Sequence, residues 1–147
     1  MTTSSNGISL IEQFEGFRAQ MYKDAVGLPT IGYGTLIQSP SQQWLLTATI
    51  TQAQATDLLK QHLPGVESAI DNMVEFELTQ NQFDALVSFC YNLGTNSLLN
   101  STLLKKLNVN PSDETIRDEF MKWVHAGGKV LQGLVDRRTA EADLYFQ

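Results

Sequence analysis

The first apolar pattern along the chain predicts an amphipathic helix that ends near residue 15. Its apolar positions share one arc of a helical wheel: Ile8, Leu10, Ile11 and Phe14. That spacing is typical of a helix that buries one face. Glu15 falls on the edge of this arc, whereas Glu12 lies outside it, toward solvent. Ser5 or Asn6 is the expected N-terminal cap, and Gly16 is the expected stop.

Between residues 17 and 37 the pattern changes to β-formers and glycines. The segment 22–30 predicts strand, turn and strand, and in the segment after it Gly32 and Gly34 alternate with β-formers. Glycine weakens a strand and often marks a close approach by a ligand or by another backbone. The polar stretch 38–43 is predicted to be a loop.

The remainder of the chain predicts short helices, so the expected fold class is α+β, with one early hairpin among six or seven helices. A Thr79–Gln82 capping box is the clearest start signal. The other expected boundaries are a helix from Thr51 to Lys60, a new start at Pro64, a helix over 98–107 capped by Ser97, one from Ser112 or Asp113 to Gly127–Gly128, and a last helix over 134–144.

Composition places the chain among ordinary globular proteins. It has 147 residues, 42% of them hydrophobic and 18% charged. The net charge of −6 and the pI near 4.7 argue against nucleic acid as a partner. No apolar run is long enough to span a membrane, and the N-terminus has no secretory signal pattern. A monomer is expected.

Thiol and metal chemistry are not expected. Cys90 is the only cysteine, which excludes an intrachain disulfide, and it shares an apolar stripe with Val87. We therefore expect it in the core. His62 and His125 have no second ligand at helical spacing, so no metal site and no cofactor is predicted.

The candidate chemistry lies in Glu15, Asp24 and Thr30. A carboxyl group at the border of a buried face is poorly hydrated, which suits a general acid. A hairpin would place Asp24 and Thr30 nearly opposite each other, with Cβ atoms about 5 Å apart. A carboxylate beside a hydroxyl can hold a water, so the three are the parts of inverting glycoside hydrolysis. The alternative is that Asp24 is only a turn residue.

This spacing resembles the catalytic pattern of phage-type lysozymes, glycoside hydrolase family 24. Eight residues separate Glu15 from Asp24, and five separate Asp24 from Thr30. Other blocks are similar to that family in the same order: Tyr22-Lys23-Asp24, Thr30-Ile31-Gly32-Tyr33-Gly34, Gln82 to Gly94, Trp123 with Gly127-Gly128, and Gly133 to Arg138 with Glu141.

The resemblance implies one lysozyme-like domain over 1–147. It would have a small hairpin lobe over about 17–62, a bridging helix over about 63–76 and a large helical lobe over about 77–147 plus the N-terminal helix, with the active-site cleft between the lobes. The substrate would be peptidoglycan, cleaved at the β-1,4 bond from N-acetylmuramic acid to N-acetylglucosamine.

The same resemblance assigns roles. Glu15 would protonate the leaving oxygen, and Asp24 with Thr30 would handle the attacking water. Asn92 matches a position that can face the sugar. Arg137 is the expected basic partner of Glu15, with Arg138 second.

Among the aromatic residues, Tyr33, Tyr22 and Trp44 are candidates for stacking on sugar rings, although a core role is favoured for Trp44.

Two alternatives stay open on the sequence. A lytic transglycosylase uses one acid/base glutamate and the substrate's own hydroxyl, and an inactive homologue would only bind the wall. The expected place of action is the cell wall, in the periplasm or on a target cell. Without a signal in this sequence, another system delivers the protein or a signal has been removed. The negative net charge gives no general attraction to an anionic wall.

Overall fold

The computed structural model describes all residues from Met1 to Gln147 and confirms the α+β class. The elements are α1 (Ser5–Glu15), β1 (Arg18–Lys23), β2 (Pro29–Gly32), β3 (Thr35–Leu36), a 3-10 helix (Pro40–Leu46), α2 (Gln52–Met73), α3 (Gln80–Leu93), α4 (Thr95–Leu99), α5 (Thr102–Leu107), α6 (Ile116–Met121), β4 (His125–Ala126), β5 (Lys129–Val130) and α7 (Gln132–Tyr145). None of these helices combines the length and the apolar character that crossing a bilayer requires. The 3-10 helix replaces the loop predicted over 38–43.

Helix α1 begins at Ser5, one or two residues earlier than a cap at Ser5 or Asn6 predicts, because Ser4 is its cap. The Ser4 hydroxyl accepts a hydrogen bond from the N–H of Gly7 at 3.3 Å. Asp84 of α3 holds Ser4 in turn, since its carboxylate accepts bonds from both the backbone N–H and the hydroxyl of Ser4. Ser5 and Asn6 are not the cap, because Asp84, which is distant in sequence, binds Ser4 instead.

Strands β1, β2 and β3 form an antiparallel sheet in that order. Tyr22 pairs with Thr30, and Arg18 pairs with Gly32, so an irregularity in β1 lies between Arg18 and Tyr22. The end of β2 packs on the start of α2, where a Cβ on Gly32 would lie 3.1 Å from Ala55. The hairpin that the sequence predicts is therefore present, with a third short strand added.

Helix α2 runs without interruption through the predicted break at Lys60 and the predicted start at Pro64. Thr51 caps it, as predicted. Proline removes the hydrogen bond to the carbonyl four residues earlier, but a helix of 22 residues keeps its other turns. The interval 63–76, expected as a separate helix, is the second part of α2, which ends at Met73.

By contact density the chain divides into two compact units. The hairpin unit is Ile11–Leu63, and it contains the three-stranded sheet and the 3-10 helix. The helical unit is Met1–Leu10 with Pro64–Gln147, and it contains α3 to α7 and the small β4–β5 sheet.

The helical unit has an aromatic core around α3. The capping box of Thr79 and Gln82 that starts α3 is confirmed. The Phe89 ring packs against Phe120 and Trp123, with centroids 5.8 and 5.5 Å apart and the rings nearly perpendicular. Trp123 is therefore a packing residue, as predicted.

Several boundaries in the helical unit differ from prediction. Helix α6 begins at Ile116 rather than at Ser112 or Asp113, and α7 begins at Gln132 rather than at 134.

Two further differences share a cause. The segment 98–107 holds two helices, because Ser101 caps α5 through the N–H of Leu104, while the Ser97 hydroxyl donates to a carbonyl inside α3. Gly127–Gly128 does not end a helix but forms the turn between β4 and β5. Both predictions were wrong because cap and turn residues use the same amino acids.

Candidate active site

The turn between β1 and β2 orients the carboxylate of Asp24. Its Oδ1 accepts hydrogen bonds from the backbone N–H groups of Val26, at 3.0 Å, and Leu28, at 2.9 Å. Gly27 closes this turn at φ +86°, a conformation that glycine adopts without steric cost. Because two amides fix Oδ1, the other carboxylate oxygen, Oδ2, is the one left to accept from water or a ligand.

The register of the hairpin corrects the predicted placement of Thr30. Thr30 lies opposite Tyr22, not opposite Asp24. The Asp24 N–H donates to the carbonyl of Leu28 at 2.9 Å, so the turn covers only 25–27 and is tighter than predicted. Asp24 and Thr30 are therefore diagonal neighbours on one face of the hairpin, a relation that puts Cα atoms about 7–8 Å apart.

The hydroxyl of Thr30 is buried and directed. The residue is 2% exposed, and its Oγ1 donates a hydrogen bond to the Leu28 carbonyl at 3.0 Å. A hydroxyl has one proton and two lone pairs. Since the proton is engaged with Leu28, Thr30 acts toward a water as an acceptor.

Glu15 is the last residue of α1, and Gly16, at φ +73°, ends the helix as predicted. The Glu15 side chain is half-buried. Its Oε1 lies only 2.6 Å from the point that a Cβ on Gly34 would occupy. The carboxylate is therefore against the backbone between β2 and β3, and β2 is the strand that carries Thr30.

Glu12 does not face solvent, contrary to prediction. It is half-buried, and its Oε1 accepts a hydrogen bond from the Thr56 hydroxyl at 2.6 Å. The wheel of α1 could not show this contact, because Thr56 belongs to α2. Glu12 is thus a structural carboxylate three residues before Glu15.

The phenol of Tyr22 responds to the charges of both candidate catalytic carboxylates. Burial and the negative charge of Glu15 raise the pKa of Tyr22 above its usual value, with opposition from Arg18 and a further increase from Asp24. The Arg18 guanidinium lies 4.4 Å from the centre of the ring, so it covers a face that the sequence offered for sugar stacking. Glu15 and Asp24 therefore act on one common neighbour.

The expectations for Tyr33 and Trp44 are reversed in the structure. Tyr33 is 7% exposed and its ring centroid is 5.7 Å from that of Phe17. Its ring is therefore not open to a sugar, and the predicted stacking is wrong. Trp44 is 57% exposed on the 3-10 helix, so the core role favoured for it is also wrong.

The predicted basic residues Arg137 and Arg138 are buried in the helical unit. They are 3% and 0% exposed, and both contact Glu141, which is 0% exposed. Arg138 Nε is 2.7 Å from Glu141 Oε1, Arg137 Nε is 3.4 Å from Oε2, and the Ser88 hydroxyl donates to Oε2 at 2.5 Å. This Arg–Arg–Glu cluster couples α7 to α3.

Asn92 is attached to the same cluster. Its Oδ1 accepts a hydrogen bond from Arg138 Nη2 at 2.8 Å. Because a guanidinium only donates, this contact directs the amide oxygen of Asn92 inward. The expected pairing of Arg137 with Glu15 and the expected sugar contact of Asn92 stay predictions.

Three features of the structure were not predicted from the sequence. They are the role of Glu141 in the buried cluster, the influence of both carboxylates on Tyr22, and the closeness of Gly34 to Glu15. Glu141 follows Arg137 and Arg138 by four and three residues, and that helical spacing was a usable signal. The other two follow from the register and turn geometry of the sheet, which the sequence leaves open.

Cys90 is a core residue, as predicted. It is 2% exposed, and burial raises the pKa of its thiol to about 12. The thiol is therefore protonated at neutral pH. No three His, Cys, Asp or Glu side chains come together in a way that could hold a metal ion.

Known proteins with similar sequences are endolysins. The endolysin of Salmonella phage P22 is 38% identical over 146 residues, with 99% of each chain covered. That of Bacillus phage B103 is 40% identical over 153 aligned residues, covering 99% of this chain but 54% of that protein. The chain thus spans about half the length of the B103 relative and nearly all of the P22 relative.

Solved structures agree with these relatives. A mutant of P22 lysozyme superposes with a TM-score of 0.89 at 37% identity, covering 100% of this chain and 99% of that one. The muramidase domain of SpmX from Asticaccaulis excentricus gives 0.84 at 34% identity, with 98% and 97% covered. The phage lysozyme family model matches residues 12–141. The chain therefore belongs to the phage lysozyme family.

Proposed function

We propose that this chain is a muramidase. It hydrolyses the β-1,4 bond from N-acetylmuramic acid to N-acetylglucosamine in peptidoglycan, with Glu15 as general acid and Asp24 with Thr30 as the water-handling pair. One observation carries the assignment: the Glu15 carboxylate lies against the sheet whose first hairpin bears Asp24 and Thr30 on one face.

The hydrogen bonds of Asp24 and Thr30 support a role in activating water. Asp24 Oδ1 is held by two amides, and the Thr30 proton is held by the Leu28 carbonyl. A water that donates one proton to Asp24 Oδ2 and the other to Thr30 Oγ1 directs a lone pair away from both. Attack by that water on the anomeric carbon, with proton transfer to Asp24, is the inverting route.

The surroundings of Glu15 support its role as the acid. It ends a rigid helix and is half-buried against Gly34, so its position is set by backbone on both sides. A general acid must be held within hydrogen-bond reach of the oxygen that it protonates. Glu12, three residues earlier, is bonded to Thr56 instead.

The remaining parts of the assignment concern binding and place of action. Asn92 and Arg137 are the proposed sugar-side contacts of the helical unit. The proposed partner is the glycan strand of the cell wall. The protein acts there as a monomer without a cofactor. A net charge of −6 predicts that binding to the anionic wall is weak at low salt and improves when salt screens the repulsion.

The test compares Glu15→Gln with Glu12→Gln on purified peptidoglycan, with new reducing ends as the measured product. Glu15→Gln is expected to lower turnover by about 10²–10⁴, the usual contribution of general acid catalysis, without a change in Tm. Glu12→Gln keeps turnover and loses some Tm, because it weakens the bond from Thr56.

Each alternative activity has its own outcome in this test. Products with 1,6-anhydro ends instead of reducing ends would establish a lytic transglycosylase. Binding of wall without any turnover by the wild-type chain would establish an inactive homologue. Wild-type turnover in Glu15→Gln would refute the assignment of the acid.

A further inference from the structure

We propose that Gly34 is a positioning residue for the general acid. The bare backbone at Gly34 sets where the Glu15 carboxylate lies, and any side chain at this position displaces it. The inference rests on the proposed function, because it matters for catalysis only if Glu15 is the acid.

The distances at Gly34 leave no room for a methyl group. A Cβ built there would lie 2.6 Å from Glu15 Oε1, 3.5 Å from its Cδ and 4.0 Å from its Cγ. Real Cβ atoms essentially never have a neighbour under 3.0 Å. The three nearest atoms all belong to Glu15, so this side chain alone occupies the space next to Gly34.

The group that gives way is the carboxylate. Gly34 is part of the turn into β3, whereas Glu15 Oε1 is the far end of a flexible side chain. Ordinary contact begins at 3.4 Å and the present separation is 2.6 Å, so the oxygen must retreat by 0.8 Å to reach it. A misplacement of about 1 Å can cost about 10²-fold in rate.

Gly32, two residues earlier, shows a different role in the same turn. A Cβ there would meet Ala55 at 3.1 Å and Ile50 at 3.5 Å, which are apolar packing neighbours. A close approach is thus found at both glycines of the alternating segment, but only at Gly34 is the neighbour a candidate catalytic group.

Gly128 provides a matched control for backbone strain. Its φ is +76°, against +78° for Gly34, but a Cβ there has nothing within 4 Å. Alanine at either position pays the same conformational cost of a left-handed backbone. Gly128→Ala therefore reports what this strain does to Tm and turnover without a clash.

The experiment measures kcat, KM and Tm for Gly34→Ala and Gly128→Ala on purified peptidoglycan. We expect Gly34→Ala to lower kcat by about 10²-fold with KM within about twofold, since an acid out of place affects the reacting bond more than binding. Gly128→Ala keeps kcat. Both variants lose a few degrees of Tm.

A second background separates positioning from general damage. In Glu15→Gln, where no acid is left to displace, Gly34→Ala is expected to lower the residual kcat no further. A purely structural defect would lower kcat by the same factor in both backgrounds.

The outcomes distinguish this proposal from the assignment of Glu15. If Glu15→Gln abolishes turnover but Gly34→Ala matches Gly128→Ala in kcat, Gly34 is not a positioning residue and the assignment stands. If Gly34→Ala lowers kcat by the same factor in the wild-type and Glu15→Gln backgrounds, the proposal is also overturned. If Glu15→Gln retains wild-type turnover, both fall.

Discussion

The hairpin unit and the helical unit each contain a polar cluster, and the two clusters are built in opposite ways. In the hairpin unit, Glu15, Asp24 and Thr30 lie within a short stretch of sequence, and backbone amides, carbonyls and a glycine orient them. In the helical unit, Arg138 and Glu141 are fully buried, and side chains of α3 and α7 supply their contacts.

This difference predicts different consequences of mutation. Groups held by backbone keep their surroundings when their chemistry is changed, so substitutions in the hairpin unit should reduce activity more than stability. Groups that neutralise each other inside a core cannot lose a partner without leaving a buried charge. Substitutions in the Arg–Arg–Glu cluster should therefore reduce stability first.

The largest expected effect is that of Asp24→Asn on turnover. The Asn oxygen can still accept from Val26 and Leu28, so the turn persists, while an amide nitrogen replaces Oδ2. We expect a loss of about 10²–10⁴ in kcat with Tm unchanged, since the base is lost and the fold is not. Asp24→Ala should add a loss of Tm, and an active Asp24→Asn would show that Asp24 is only a turn residue.

The next effect is on stability. Glu141→Ala leaves two buried guanidinium groups without their carboxylate, and removing one partner of a buried ion pair costs about 3–5 kcal/mol. Its control is Asp143→Asn on the same helix, where the pair with Arg117 at 2.6 Å is exposed and is expected to contribute less than about 1 kcal/mol. Equal losses in denaturant unfolding would contradict the contrast between the two clusters.

A smaller effect is expected for Thr30→Val, which keeps the shape and removes the hydroxyl. Loss of one hydrogen bond to the attacking water should lower kcat about tenfold. Thr35→Val is the control, because the Thr35 hydroxyl in β3 is buried without a hydrogen-bond partner. That variant should keep kcat and match or exceed the wild-type Tm; if both variants lose kcat alike, Thr30 has no special role.

The smallest expected effect is on the free energy of unfolding at acidic pH. Hydrogen bonds from Lys122 and Lys106 hold the pKa of the Glu119 carboxyl below its usual value, against the opposing effect of burial. The folded state therefore favours the ionised form, and this stabilisation is full above the unfolded pKa of about 4.3. It is lost as the pH falls through the lower folded value.

The free energies of unfolding of Glu119→Gln and wild type, compared from neutral to acidic pH, measure this contribution to stability. We expect a difference of about 1 kcal/mol near pH 7, allowing for the water around both lysines, and a shrinking difference in acid. A difference that grows as the pH falls would mean that the pKa shift has the opposite sign.

How much the sequence predicts depends on whether a feature is set by neighbouring residues or by contacts distant in sequence. The end of α1 at Gly16, the capping box of α3 and the existence of the hairpin were all predicted correctly, because each depends on neighbouring residues. The register was wrong by two residues, because Asp24 completes the turn with its own side chain and backbone.

The failures elsewhere have tertiary causes. Pro64 predicts a helix start, but α2 continues through it. The burial of Glu12 depends on Thr56, and the burial of Tyr33 depends on a contact with Phe17. The candidate catalytic residues could be proposed because their spacing is local, whereas the partners of Arg137 and Arg138 depend on how α3 and α7 pack.

In the proposed mechanism, a water held by Asp24 and Thr30 cleaves the glycan. Digestion of purified peptidoglycan in water enriched in the heavy isotope of oxygen, followed by mass spectrometry of the fragments, tests it directly. We expect reducing muramic acid ends that carry the heavy isotope in wild type, and their near absence in Asp24→Asn. Unlabelled 1,6-anhydro ends from the wild-type enzyme would contradict it.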